Sequence, residues 1–207
     1  MKLTAGIRRK IVENGYDSIY EKYDSYYGIS MNRRELADFL KLVPKRSTVL
    51  DIGCGSGRVS KFLIDRGFGV VGIDISRNML KLAKQKAPQA EFHRQDMRDL
   101  DFPKESFDAV LALYSIIHVP RKYHSGIFKK INRVLKPKGI ALVSVGGSDL
   151  ENYIDENWMN WGSRMYWSQF DLEKNLDLLR KSGFKIISWR LSGMKGDKHP
   201  FVFASKV

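Results

Sequence analysis

A single cysteine, Cys54, in a chain of 207 residues excludes an internal disulfide and a cysteine-built metal cluster. No run of about eighteen apolar residues occurs, so the sequence offers no membrane-spanning helix. The opening residues Met1-Lys2-Leu3-Thr4-Ala5-Gly6 lead into charge instead of an apolar signal core, and the expectation is a cytoplasmic protein. Internal repeats and low-complexity segments are missing too. Acidic residues are scarce: 23 Asp and Glu stand against 36 Lys and Arg, for a net charge of +13. What is present, 43% hydrophobic residues and 12% aromatics, suits one soluble domain spanning 1–207 with a full core.

The positive excess is clustered. Seven basic residues and no acid lie between Arg121 and Lys138, and seven against one aspartate between Arg180 and Val207. Basic stripes attract phosphate backbones, which makes nucleic acid one candidate partner. Lys129, Lys130 and Arg133 fall on the face of a helix opposite Ile127, Ile131 and Leu135, so a solvated surface is the other reading.

Chemistry concentrates in Val49-Leu50-Asp51-Ile52-Gly53-Cys54-Gly55-Ser56-Gly57, an apolar strand that runs into an acidic, glycine-spaced turn. Gly53, Gly55 and Gly57 let a nucleotide-bearing cofactor lie against the backbone, where a Cβ would collide with it. Cys54 between them reads as a small packing residue. A dinucleotide fingerprint needs a glycine where Arg58 stands, and no Gly-Lys-Ser/Thr follows to make a Walker loop. Asp51, two residues ahead of the first glycine, would repel a pyrophosphate and suits a ligand carrying an ammonium group. Asp74 closes a second apolar strand about twenty residues on, the position of a ribose-binding carboxylate in an open α/β sheet. Asp96 follows a third strand in the turn Gln95-Asp96-Met97.

These landmarks resemble a class I S-adenosylmethionine-dependent methyltransferase of the small-molecule type found in quinone and related biosynthesis. The likeness is close over residues 45–147 and looser beyond. It extends to Phe107-Asp108-Ala109-Val110-Leu111-Ala112-Leu113 as a fourth strand and to Leu135-Lys136-Pro137-Lys138-Gly139 as the turn before a fifth. It implies a three-layer, doubly wound Rossmann-like seven-stranded sheet of the α/β class, closed by an antiparallel hairpin. Phe184–Leu191 and Pro200–Ala204 supply that hairpin, their connection being too short for a parallel crossover. The implied layout is a helical lid at 1–44, a cofactor core at 45–147, a substrate-capping segment at 148–170 and a closing helix and hairpin at 171–207. The implied cofactor is S-adenosyl-L-methionine, converted to S-adenosyl-L-homocysteine, with no metal. Asp51 and the Leu113 carbonyl would meet its ammonium end, Asp74 its ribose with Ile75 and Met79 alongside, and Asp96 and Met97 its adenine.

Tyr16, Tyr20, Tyr23 and Tyr27 recur at helical spacing, so a helix persisting to Gly28 would carry all four on one face. That helix is either an amphipathic cover for the sheet edge or a lid that brings Tyr23 or Tyr27 to the sulfonium, which a π-face attracts. Arg33 and Arg58 are candidates for the methionine carboxylate.

Methyl transfer from a sulfonium asks the protein chiefly for alignment, exclusion of water and, for some acceptors, removal of a proton. His118, with Tyr114 and Ser115 just before it, is the candidate base past the fourth strand. The segment lacks both the Asn/Asp-Pro-Pro-aromatic motif of amino-group methylation on adenine or glutamine and the cysteine of pyrimidine C5 methylation. Trp158, Trp161 and Trp167, with two methionines among them, form either a wall for a flat acceptor or a cover for the sheet edge. The expected function is therefore methyl transfer to a small molecule. RNA as acceptor and a non-catalytic, cofactor-binding regulator are the alternatives.

Overall fold

A computed structural model describes residues 3–27, 32–194 and 197–207. Gly28, where the tyrosine helix was expected to end, lies outside them, and the described helix α1 runs Ala5–Tyr26. The strands β1 (Thr48–Ile52), β2 (Gly69–Asp74), β3 (Glu91–Arg94), β4 (Phe107–Ala112) and β5 (Leu135–Ser144) are parallel. After them β8 (Phe184–Met194) and β9 (Asp197–Lys206) form the antiparallel hairpin, and the sheet order is β3-β2-β1-β4-β5-β9-β8. The order reverses at β1 and β4, which opens a crevice at their carboxyl edge, where such sheets bind ligands.

Periodic apolar residues bury the helices on both faces of this sheet. On one side α2 (Arg33–Leu42) and α3 (Arg58–Ile64) place Leu36, Phe39 and Leu63 against Val49, Leu111, Leu142 and Phe203. On the other, α5 (His124–Val134) and α6 (Leu172–Lys181) place Ile127, Phe128, Ile131 and Leu179 against Leu50, Val110, Val143 and Val202. The helix α4 (Arg77–Lys86) starts where expected: the Ser76 hydroxyl accepts the Met79 N–H at 3.1 Å. Asp171 caps α6 in the same way through the Lys174 N–H.

Two expectations change. The run Leu135–Gly139, expected as a turn, already belongs to β5: Leu135 pairs with Phe107, and pairing resumes at Ile140 with Ala109 after a bulge containing Lys138 at φ 63°. The tryptophan segment folds as a second, two-stranded sheet of β6 (Leu150–Trp158) and β7 (Ser163–Gln169). Its residues 150–158, Leu-Glu-Asn-Tyr-Ile-Asp-Glu-Asn-Trp, are mostly exposed and lack the apolar alternation that marks a strand.

Packing against β7 places α1. Ile11 and Val12 share an apolar cluster with Met165 and Tyr166. The Gly15 position lies so close to β7 that a Cβ there would stand 2.5 Å from the Arg164 carbonyl oxygen. The hairpin β6–β7 thus holds α1 across the crevice. No described helix is long and apolar enough to cross a membrane.

Candidate active site

Beneath α1 the crevice becomes a cleft of about 780 Å³, within the usual range for small-ligand pockets. Its floor comes from the ends of β1, β2 and β4, and its roof from Ala5, Arg9, Val12, Tyr16 and Tyr23, one stripe of α1.

The glycine loop is fixed from below, since the Gly53 and Cys54 N–H groups both donate to the Ile73 carbonyl, at 2.8 and 3.0 Å. Its glycines do different things. Gly55 faces open space beside the cleft, whereas a Cβ on Gly57 would lie 2.7 Å from Ala83 Cα in α4. Gly57 does not line the cleft and serves helix packing, which corrects its assignment to the cofactor. Cys54 is buried between Leu80, Ala83 and Phe92 as a packing residue. Asp51 also lies behind the cleft wall: it is 3% exposed, and its carboxylate accepts the Ser60 hydroxyl at 2.8 Å. Burial, with Asp74 nearby, pushes its carboxyl up to about 7 despite that hydrogen bond.

Asp74 lines the cleft. One carboxylate oxygen accepts the Gly55 N–H at 2.9 Å and the other the Ser76 N–H at 2.8 Å. Burial raises its carboxyl above the usual range against those donors. About four lone-pair sites belong to a carboxylate, so two remain for ligand hydroxyls. Ile75, Met79 and Leu113 line the same cleft. At its far end Asp96 and Met97 are present as expected, with Arg9, Gln95 and Arg98, which sequence reading missed. Burial works against the Asp96 charge, but the Arg98 guanidinium, 2.7 Å away, and Arg9 hold its carboxyl below the usual range.

The two arginines expected at the methionine carboxylate are elsewhere. Arg33 is exposed at the start of α2. Arg58 stands under the Tyr23 ring and 3.4 Å from Asp24, outside the cleft lining. Asp24 also accepts the Ser56 hydroxyl at 2.5 Å and pairs with Lys86, while Asp17 accepts the Ser76 hydroxyl at 2.5 Å and the Asn78 N–H at 3.0 Å. Glu13 pairs with Arg94. Acids on α1 therefore fasten the roof to the loop and to α4. Losing the charge-assisted bonds of one such partly exposed acid costs about 1 kcal/mol. Asp24→Asn should then release S-adenosylhomocysteine about fivefold faster, as stopped-flow fluorescence would register.

Tyr16, Tyr23 and Tyr27 stack in succession along α1, with ring centroids 5.4 and 4.7 Å apart, and Tyr27 lies behind the cleft. Tyr20 leaves this group and donates to Glu21 at 2.7 Å. At 3.6 residues per turn it points about 40° away from Tyr16, enough to face solvent. Trp158 meets both Tyr16 and Tyr23, Trp167 stacks on His118 at 4.4 Å, and Trp161 packs with Tyr26. None of the three tryptophans lines the cleft itself. They form the aromatic layer behind its wall.

His118 lines the cleft and is 6% exposed. Its Nδ1 stands 2.9 Å from the Tyr166 carbonyl oxygen and its Nε2 3.0 Å from the Tyr16 hydroxyl. Burial lowers its pKa to about 4, as it does for His124 beside the Val119 carbonyl. Tyr114 sits at φ 52°, with its N–H donated to the Ser144 hydroxyl at 2.5 Å and its ring edge-on to His199 and Phe201. Tyr16 and Ser115, the latter donating to the Ile52 carbonyl at 2.9 Å, complete this end.

An imidazole whose folded pKa lies below its unfolded value binds more protons when unfolded, so it removes stability as pH falls from about 6.5 toward 4. Asp51, raised to about 7, acts in the opposite sense over the same range. A comparison with His124→Gln isolates one imidazole. Between pH 7 and 5 the parent should lose roughly 2 kcal/mol more than the variant, measured by urea unfolding.

Residues 49–139 match the family model described as a methyltransferase domain. The chain is 41% identical over 110 residues to the 2-methyl-6-phytyl-1,4-hydroquinone methyltransferase of Synechocystis sp., covering 51% of this chain and 34% of that one. It is 32% identical over 149 residues, 67% of each chain, to an uncharacterized methyltransferase of the same organism. A solved structure of a SAM-dependent methyltransferase from Methanosarcina mazei superposes with a TM-score of 0.74 at 25% identity, over 82% of this chain and 97% of that one. The chain spans 34% to 56% of the length of the first curated relatives it matches.

Proposed function

Because the chain belongs to the S-adenosylmethionine-dependent methyltransferases, we propose that it methylates a small molecule held under α1 beside Tyr16, Tyr114 and His118. When bound, the cofactor supplies a methyl group on a sulfonium. The residues fit such a group: Gly55 opens onto the cleft, and Asp74 keeps two lone-pair sites for the ribose hydroxyls. Asp96 and Met97 flank the adenine, and Gly53 and the Leu113 carbonyl meet the amino-acid end.

The observation that carries the acceptor class is the roof. With α1 pinned through Asp17 and Asp24, the cleft closes over its contents and excludes water from the reacting centre. A polymer would have to displace that helix. The basic stretch 121–138 gives no reason to expect one: Arg121 pairs with Asp149 and Glu151, Lys136 with Asp108, and Lys130 donates to the Arg98 carbonyl. The hydroquinone-methylating relative supports the same class.

Labelled cofactor incubated with the protein and with separate metabolite and tRNA fractions of a cell extract should label the metabolites alone. Stoichiometric label in tRNA would sink the reading. Once the acceptor is in hand, Trp167→Ala should lower kcat/KM for it by about ten- to a hundredfold, because His118 loses the ring stacked on it. Cofactor affinity should stay within threefold by calorimetry.

A further inference from the structure

Around the acceptor end, the side chains Tyr16, Tyr23, Tyr114, Ser115 and His118 carry hydroxyls and an imidazole, and none of the described residues lining that end is charged. The hydrogen bonds of His118 fix its tautomer. A carbonyl oxygen only accepts, so the bond to Tyr166 puts the proton on Nδ1. Nε2 of the neutral ring then holds a lone pair, and the Tyr16 hydroxyl 3.0 Å away donates to it. With its proton committed to His118, Tyr16 presents the lone pairs of its oxygen to the cleft it lines.

Resting on the small-molecule reading, we propose that Tyr16 is the catalytic residue that takes the acceptor's proton, passing its own to His118, and that the acceptor is an uncharged molecule with a protic nucleophile. A hydroxyl, a phenol or a neutral N–H meets that description; a phosphorylated or carboxylated molecule does not, because no cation lies at that end to offset its charge. In the step, the acceptor heteroatom forms a bond to the methyl carbon as the sulfur–carbon bond breaks. The heteroatom's proton moves to Tyr16 Oη and the Tyr16 proton to His118 Nε2. The sulfonium charge is lost as the imidazolium charge appears, so the cleft keeps the same total charge throughout. His118 returns its proton to water when α1 lifts. Trp167, stacked on the ring at 4.4 Å, keeps Nε2 aimed at Tyr16.

Two measurements test this. Nitrogen-15 spectra of histidine-labelled protein with S-adenosylhomocysteine should show His118 protonated on Nδ1 alone from pH 5 to 8, and Tyr16→Phe should move its Nε2 resonance. A proton on Nε2 in the wild type would overturn the relay. In parallel, hydroquinone, phosphoethanolamine and benzoate are offered with labelled cofactor. Hydroquinone should take the label, and Tyr16→Phe should cut kcat at least a hundredfold with KM and S-adenosylhomocysteine affinity within threefold. Full turnover in that variant overturns the role of Tyr16 and leaves small-molecule methylation intact. Label in phosphoethanolamine or benzoate, or in none of the three, overturns the acceptor class, and calorimetry with S-adenosylhomocysteine tells whether the cofactor reading falls with it.

Discussion

Asp74→Ala should weaken S-adenosylmethionine binding by about two orders of magnitude. A hydrogen bond to a charged acceptor contributes roughly 1.5 to 3 kcal/mol, and the two ribose hydroxyls proposed as ligands would both lose their partner. The variant also strips an acceptor from the Gly55 and Ser76 N–H groups, so the loop that faces the cofactor loses its link to the end of β2. Asp74→Asn separates the two effects. Its amide oxygen still accepts one bond without the charge, and it should fall between wild type and alanine in calorimetric titration. Equal affinity in all three proteins would place the ribose elsewhere.

Gly57→Val should cost roughly 2 to 5 kcal/mol of stability. One contribution is the left-handed backbone, φ 77°, which a β-branched residue adopts only at a cost of about 1 to 2 kcal/mol. The other is collision: the new Cβ would stand 2.7 Å from Ala83 Cα and 2.9 Å from its Cβ, and overpacking of this kind costs roughly 1 to 3 kcal/mol. Backbone cannot swing aside as a long side chain can, so α3 and α4 must separate. Melting temperature should drop by on the order of 10 °C. Since Gly57 lies outside the cleft lining, the residual folded protein should bind cofactor within a few fold of wild type. A melting temperature within two degrees of wild type would refute the packing role.

The core of this fold was readable because its signals are local. An apolar strand followed by glycines or an acid announces β1, β2 and β3 within a few residues, and hydroxyl and carboxylate caps announce α4 and α6. Asp74 and His118 were found for the same reason, since each follows its strand directly. What escaped depends on distance in sequence. Whether Gly57 meets a cofactor or Ala83 is decided by a helix more than twenty residues away. Whether Arg58 is available to a ligand is decided by Asp24 on α1. Tyr16 was visible as one of four tyrosines but not as the partner of His118, 102 positions later. The hairpin β6–β7 was hidden in polar sequence because its stability comes from covering α1, not from an alternating apolar face.

The apolar bond between α1 and β7 also sets an order of assembly. Ile11 and Val12 find Met165 and Tyr166 only after about 150 residues of chain have been made, and closing so long a loop is entropically late. On a ribosome, which releases the amino terminus first, the helix emerges minutes to seconds before the surface that will hold it, while the glycine loop, Asp74 and the first four strands are already able to condense. The nascent chain thus passes through a form with a built cradle and an unfastened cover. A cofactor present during synthesis can enter that open cradle without waiting for Asp17 and Asp24 to let go, and the carboxyl-terminal third of the protein then seals it in.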